Sequence, residues 1–423
     1  MTDLAALDYF FDEVVAQDPY EYFEYLRSQN PVFREPHHDV VAVTGYPEVI
    51  AAFKNHDAFS ACNSIGGPFP PLPFEPVGDD ITAQIEAHRH EFPINEHLVT
   101  MDPPAHERAR SLLSKMLTPK RLKENEEFMW RLVDHQLDEF IANGECEFLG
   151  QYAKPFATLV IADLLGVPEQ DRDEFRGILA AEADKIGTLD GEPVGINPLA
   201  WLDDKFSAYI ADRRRHPRGD VLSGLAEATY PDGSTPELLE VVRPATFLFA
   251  AGNETVTKLL SSAVRILGDQ PEFQHKLRQD PKLLGAFVEE SLRLESPTKV
   301  DFRLARKTTT LGGVDIRAGT VVMLCIGAAN RDPRKFENPN EFRPDRKNVR
   351  EHVAFGRGIH SCAGAPLARL EGQVTLTRML DRMRDIAISE DEHGPAGHRQ
   401  YRYDPTFLLR GLSTLHITFT PCG

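Results

Sequence analysis

The chain has 423 residues, of which 41% are hydrophobic, and 47 Lys and Arg against 65 Asp and Glu give a formal net charge of −18. The length allows two or three domains or one large one, and the apolar fraction suffices for a sizeable core. The acidic balance argues against nucleic acid or an anionic membrane as a general partner, and the five scattered cysteines (Cys62, Cys146, Cys325, Cys362, Cys422) argue against a disulfide framework.

The first segment, Met1 to Val32, is acidic and broken by charges, so it reads neither as a secretory signal nor as an anchor. No run is apolar enough to span a bilayer. The expected location is the cytoplasm.

In chain order, Pro31-Val32-Phe33 and Val40 to Val43 flank a polar turn and predict a β-hairpin. Ser64 to Glu75 is rich in Pro, Gly and Phe, and polar sequence continues to Asn95, which predicts a long functional loop. It carries His88-Arg89-His90, but no third ligand is near, so a solvated loop is favoured over a metal site. Thr118-Pro119 reads as an N-cap and first helical position. Phe128, Leu132, Val133, Leu137, Phe140 and Ile141 then follow helical spacing up to a stop at Gly144.

Ser234-Thr235-Pro236-Glu237 has the form of a capping box opening a helix that continues apolar to Leu267, with Gly268 as the stop. Pro244 falls inside it and predicts a kink or break. A helix apolar all round is buried, which puts Glu254 and Thr255 in the interior, where an unpaired carboxylate is costly. Taken alone, the segment also allows Thr255 to bond back to an i−4 carbonyl while Glu254 reaches an exposed face.

Asp280-Pro281 opens a helix to about Leu294, with Glu290 and Arg293 on one face at i, i+3. Val314 to Ile316 and Thr320 to Leu324 flank Arg317-Ala318-Gly319 and read as a second hairpin. The class is mainly α with small β-sheets.

The most informative stretch is Phe355-Gly356-Arg357-Gly358-Ile359-His360-Ser361-Cys362-Ala363-Gly364, with a helix opening behind it. Free amide N–H groups and the macrodipole stabilise a thiolate at a helix N-terminus. Glycines permit a tight loop and close approach of something bulky, and His360 offers a basic partner to an anionic group. A lone cysteine is otherwise commonly an inert buried one. The combined spacing points to a ligand.

Phe355, Gly358, His360, Cys362 and Gly364 match Phe-x-x-Gly-x-basic-x-Cys-x-Gly, so the stretch resembles the haem-binding loop of cytochrome P450, the haem-thiolate monooxygenase superfamily. The resemblance implies one P450-like domain over residues 1–423, of the soluble bacterial type, with a long central helix over the haem. It implies haem b on the Cys362 thiolate, with Phe355, Gly356, Gly364 and Ala251 also against the cofactor. Ala251-Gly252-Asn253-Glu254-Thr255-Val256 resembles the Ala-Gly-x-Asp/Glu-Thr-Thr motif, in which the Thr hydroxyl sits at dioxygen and the acid relays protons. Val256 departs from the common second Thr. Glu290 and Arg293 resemble the Glu-x-x-Arg motif, for which Arg346 is the implied third partner in a buried network. Met101 to Arg110 resembles the segment over a propionate, implying contacts from His106 and Arg110, and Arg303 and His360 match further such positions.

Family topology puts the Ile65 to Phe74 loop, Leu248, Ala251, Val300 and Phe407 around a hydrophobic substrate: a terpenoid, steroid or fatty compound. The chain has no flavin or nicotinamide fingerprint and no ferredoxin-like Cys cluster, so a separate ferredoxin and its reductase are the implied electron source. Arg108, Lys115, Arg357 and Arg369 are candidates to dock that ferredoxin. Two other readings stay open: a peroxide-driven haem enzyme, and a haem-binding sensor or ligand-sequestering protein without turnover.

Overall fold

A computed structural model of the chain describes residues 3–175, 177, 187–189, 195–230 and 232–422. Its longest element is the helix Leu238–Asp269, 32 residues and thus about 48 Å long. Glu237 is its N-cap, and a capping box links Glu237 with Glu240. The expected box at Ser234 is therefore three positions too early. Ser234 is already engaged in a turn, where its N–H and Oγ both bond Asp232 Oδ1 (2.9 and 2.6 Å) and Gly233 takes φ +83°. The helix continues through Pro244, so the expected break is absent, and it ends one residue past Gly268. It packs against the helices Lys154–Leu165, Ala200–Arg215 and Ala365–Arg382. Leu260, Val264 and Leu267 are fully buried there, each stabilising the fold by about 1.5–3 kcal/mol.

Thr118 caps the helix Pro119–Asp138 through the Arg121 N–H. That helix stops at Asp138. Ile141–Asn143 form a separate 3-10 turn closed by Gly144, whose φ of +72° suits glycine. Past Asp280-Pro281, Asp280 Oδ1 accepts the Lys282 N–H, and the helix Leu283–Leu294 follows.

The strands are β1 (Val32–Arg34), β2 (Val41–Val43), β3 (Phe59–Ser60), β4 (Glu145–Glu147), β5 (Asp301–Ala305), β6 (Thr309–Leu311), β7 (Val314–Ile316), β8 (Val321–Leu324), β9 (Met383–Ile388) and β10 (His416–Pro421). They form sheets in the orders β1-β2-β8-β5-β3, β4-β10-β9 and β6-β7. The first expected hairpin is present, with Phe33 opposite Ala42. The second is not. β7 pairs back on β6, Leu311 opposite Val314, across Gly312-Gly313 at φ +56° and +81°. Two consecutive positive-φ glycines make the tighter hairpin turn. β8 instead enters the large sheet, parallel to β2 and antiparallel to β5.

The Ser64–Asn95 segment contains a helix, Thr82–Ala87, and a turn at Arg89–Glu91. Among the described residues no group of three His, Cys, Asp or Glu could hold a metal ion, and no helix is long and apolar enough to cross a membrane. All five cysteines are free.

Candidate active site around Cys362

The loop before Cys362 is shaped by its glycines and by what lies against it. Gly356 and Gly358 take φ of +63° and +73°. A Cβ on Gly358 would come 2.7 Å from the Phe53 carbonyl oxygen, so the loop can rest on the helix Tyr46–Lys54 only with glycine there. The Cys362 N–H donates to Phe355 O at 2.8 Å, closing the loop on itself. The helix Ala365–Arg382 opens immediately behind.

Cys362 has a solvent-accessible side chain, although many protein atoms surround it. Burial pushes its thiol pKa up, while the Gly364 and Ala365 N–H groups and the charges of Arg110 and Arg369 act to favour the thiolate. The other three cysteines with shifted thiols, Cys62, Cys146 and Cys325, are all pushed up to about 12 or beyond by burial. Of the five, Cys362 is the most exposed and has the N–H support that favours a metal-bound thiolate.

Beside this sulfur lies a cluster of basic groups. His106, on the helix Ala105–Met116, and His360 have ring centroids 4.3 Å apart. Neither His106 nitrogen has a hydrogen-bond partner, nor does His360 Nε2, although all three are buried. Burial, then the neighbouring Arg110, pushes His106 down to about 4; burial, then Arg303 and His106, pushes His360 down to about 2. Arg303 donates to Asp301 Oδ1 at 2.8 Å and to Phe302 O at 2.6 Å. Buried donors without acceptors are costly. An anionic group with several oxygens satisfies them, and haem carries two propionates, so the residues present fit that cofactor.

On the central helix, Thr255 Oγ1 donates to Ala251 O at 2.8 Å, and Gly252 faces Ile161, which a Cβ would meet at 3.7 Å. Glu254 is neither unpaired nor simply solvated. Its carboxylate lies 2.6 Å from Lys258 Nζ, which is 3% exposed and also 2.6 Å from Asp404. Lys258 reaches both acids because Gly411 has no side chain; a Cβ there would come 2.3 Å from Lys258 Cγ. Val256 is buried in the core.

The structure brings Glu290, Arg293 and Arg346 together. Arg293 grips Glu290 with two hydrogen bonds (2.7 and 2.8 Å) and Arg346 Nε adds a third at 2.9 Å. Both guanidiniums spend their remaining donors on backbone carbonyls of Asn330, Glu337, Asn338, Pro339 and Glu341. The Arg343 N–H also binds Glu290, at 2.8 Å.

The expected pocket residues fall in two places. Leu248 lies one turn before Ala251 in the central core, whereas Val300 and Phe407 are buried in an aromatic cluster with Phe10 and Phe302. Ile65, Phe69 and Leu72 of the Pro-rich loop line a narrow cleft with Cys62, Asn63 and Phe92. Among the docking candidates, Arg108 stacks over Tyr230 at 4.1 Å, Lys115 binds Thr229 O at 2.7 Å, Arg357 binds His352 O at 2.7 Å, and Arg369 binds Glu289.

Asp102 escaped the sequence reading. It is buried, accepts from Ser60 Oγ (2.5 Å), Ala61 N (3.0 Å) and Arg89 (2.9 Å), and forms an ion pair with Arg306 (2.6 Å), which pins the start of the His106 helix. The Asp-Pro-Pro step before that helix was the available signal.

A family model described as Cytochrome P450 matches residues 211–395. A biotin biosynthesis cytochrome P450 of Bacillus subtilis is 32% identical over 412 residues, covering 95% of this chain and 96% of that protein. The structure of Mycobacterium marinum CYP150A6 in the substrate-free form is 64% identical, covers 100% of both chains and superposes with a TM-score of 0.94. P450BioI in complex with hexadec-9Z-enoic acid ligated acyl carrier protein is 31% identical, covering 96% of this chain and 99% of that one, with a TM-score of 0.80. Motif, fold and relatives agree: the chain belongs to the cytochrome P450 family, oxidoreductases of the monooxygenase class that bind haem b through a cysteine thiolate.

Proposed function

We propose that Cys362 is the thiolate ligand of haem b, and that the protein inserts one atom of O2 into a hydrophobic small molecule using electrons from a ferredoxin and its reductase. The observation that carries this reading is the juxtaposition of an amide-supported sulfur with the buried, unpartnered His106 nitrogens and His360 Nε2, beside the charges of Arg110 and Arg303, a set that suits two propionates. When bound, haem supplies the oxygen activation, and thiolate ligation favours O–O cleavage. The chain's own residues do the rest. Gly364 and Ala365 N–H groups hold the sulfur as an anion. Thr255 Oγ1, which rests on Ala251 O, would turn to hold a proton toward the reacting oxygen, Glu254 would relay protons to it, and the buried Lys258 ammonium fixes the Glu254 carboxylate. Glu290, Arg293 and Arg346 hold the segment that leads into the cysteine loop.

A hydrophobic substrate is supported by the apolar Ile65–Phe74 loop and by Leu248 and Ala251 on the central helix, whereas Val300 and Phe407 are packed in an aromatic cluster. The fatty acyl chain bound to P450BioI makes a fatty compound the first class to screen. Arg108, Lys115 and Arg357 offer positive charge to an acidic ferredoxin on an otherwise acidic protein.

The test is incubation of the haem-loaded protein with a ferredoxin, a reductase, NADH and candidate substrates selected by displacement of distal water in the absorption spectrum. Substrate-dependent product that requires the electron chain is expected. Product from peroxide alone, or binding without product under any electron source, would overturn the reading in favour of a peroxide-driven enzyme or a sensor respectively.

A further inference from the structure

Seven positions after Cys362, and about one turn into the helix that opens at Ala365, Arg369 lies against the cysteine loop. Its guanidinium makes a fork with Glu289, Nε to Oε1 at 2.5 Å and Nη2 to Oε2 at 3.1 Å. Its Cζ lies 4.6 Å from the centroid of Phe355, the residue whose carbonyl accepts the Cys362 N–H. Glu289 is buried on the helix Leu283–Leu294 and meets a third group, His352 Nε2 at 2.8 Å. His352 Nδ1 accepts the Ala354 N–H, so its proton sits on Nε2 and is donated to Glu289 while the ring stays neutral. Burial opposes ionisation of Glu289, but His352 and Arg369 overcome this and hold its carboxyl at about 2. The unit is therefore one fixed negative charge, one fixed positive charge and one neutral imidazole. Its positive end lies on the cysteine loop, over the ring of the residue whose carbonyl holds the Cys362 N–H.

We propose that Arg369 and Glu289 are positioning residues that set the reduction potential of the iron held by Cys362, through a permanent dipole anchored on Phe355. This rests on the assignment of Cys362 as the iron's ligand. It also gives Arg369 a different task from ferredoxin docking, because its charge is committed to Glu289.

The physics predicts opposite signs for the two ends. One-electron reduction of the iron adds negative charge beside Cys362, and a nearby cation favours it. Removing the Arg369 charge makes reduction harder; removing the Glu289 charge leaves Arg369 unneutralised and makes reduction easier. Lysine keeps the charge but lacks the planar fork and the stacking on Phe355. A merely structural role, in which either substitution loosens the loop, would move both potentials the same way.

The test is redox titration of substrate-free, haem-loaded protein, with mediators delivering one electron per haem and absorption as the readout. The variants are R369Q, R369K and E289Q, each checked for the carbon-monoxide band of the reduced form. The expected order of potentials is R369Q below the unsubstituted protein and E289Q above it, with R369K closer to the unsubstituted protein than R369Q is. Unmoved potentials, or shifts of one sign in R369Q and E289Q, would overturn the proposal. Should E289Q not take up haem, R369Q against R369K decides it, since a structural role makes the two alike. A missing thiolate band in the unsubstituted protein would instead overturn the Cys362 assignment itself; a normal band with unmoved potentials overturns this inference alone.

Discussion

The buried ammonium of Lys258 sits 2.6 Å from the carboxylate of Glu254, one helical turn away. It answers a physical question raised by placing an acid on an apolar helix: the charge is tolerable because a cation of the same helix faces it, and Asp404 completes the cluster. Lys258→Met is expected to lower the melting temperature by leaving two carboxylates facing each other. It is also expected to divert NADH-derived electrons to hydrogen peroxide, because Glu254 is no longer held in place. Thermal unfolding and the peroxide-to-product ratio check the two effects separately.

Glu254→Gln keeps the shape of the side chain and removes the ionisable carboxylate that would take up and pass on protons. Product formation is expected to fall about 100-fold, the lower end for loss of a general acid, with the carbon-monoxide spectrum unchanged. Turnover within a factor of two of the unsubstituted protein would remove Glu254 from the proton path.

Arg293 is fully buried and makes five hydrogen bonds, two to Glu290 and three to backbone carbonyls. Arg293→Ala leaves a buried carboxylate short of its partner, an effect of about 3–5 kcal/mol. The expected outcome is failure to fold or to incorporate haem, measured by yield and haem content, rather than an enzyme with altered kinetics.

The propionate contacts make a separable prediction. Arg303→Leu removes a charged donor beside His106 and His360 and is expected to speed haem loss to an apo-globin acceptor by about tenfold or more, one charge-assisted bond's worth. The thiolate band should be retained, since Cys362 is untouched.

Acid stability follows from Glu295 and Glu289. Burial opposes their ionisation, but Arg410, Arg265 and Arg331 around Glu295, and His352 and Arg369 around Glu289, hold both carboxyls at about 2. A carboxyl whose pKa is depressed on folding stabilises the protein above its ordinary pKa, and that stabilisation is lost as pH falls toward the folded value. Each should contribute roughly 3 kcal/mol at neutral pH that declines between about pH 4.5 and 2. Denaturant unfolding as a function of pH checks this, and Glu295→Gln should flatten the decline.

The sequence made local chemistry legible. Cys362, its glycines and the helix behind it lie within a few residues of one another, as do Glu290 with Arg293, and Ala251 with Thr255, so each could be matched to a short family motif. Boundaries set by competing local bonds were less legible: Ser234 looked like a cap but serves a turn with Asp232, and Gly312-Gly313 captured the strand that Gly319 seemed to turn. Contacts between distant segments left no pattern. Glu289 meets His352 and Arg369 from 63 and 80 positions away, and Asp102 gathers Ser60 from 42 positions before it and Arg306 from far beyond it. Lys258 looked like one more residue of an apolar helix until Asp404 and Gly411 came to meet it.

The most direct measurement is the absorption spectrum of the dithionite-reduced protein under carbon monoxide, recorded for the unsubstituted chain and for Cys362→Ser. The far-red-shifted Soret band of a sulfur-bound iron should appear in the first and vanish in the second. Its absence from the unsubstituted protein, or its survival in the serine variant, would contradict the assignment of Cys362 as the ligand.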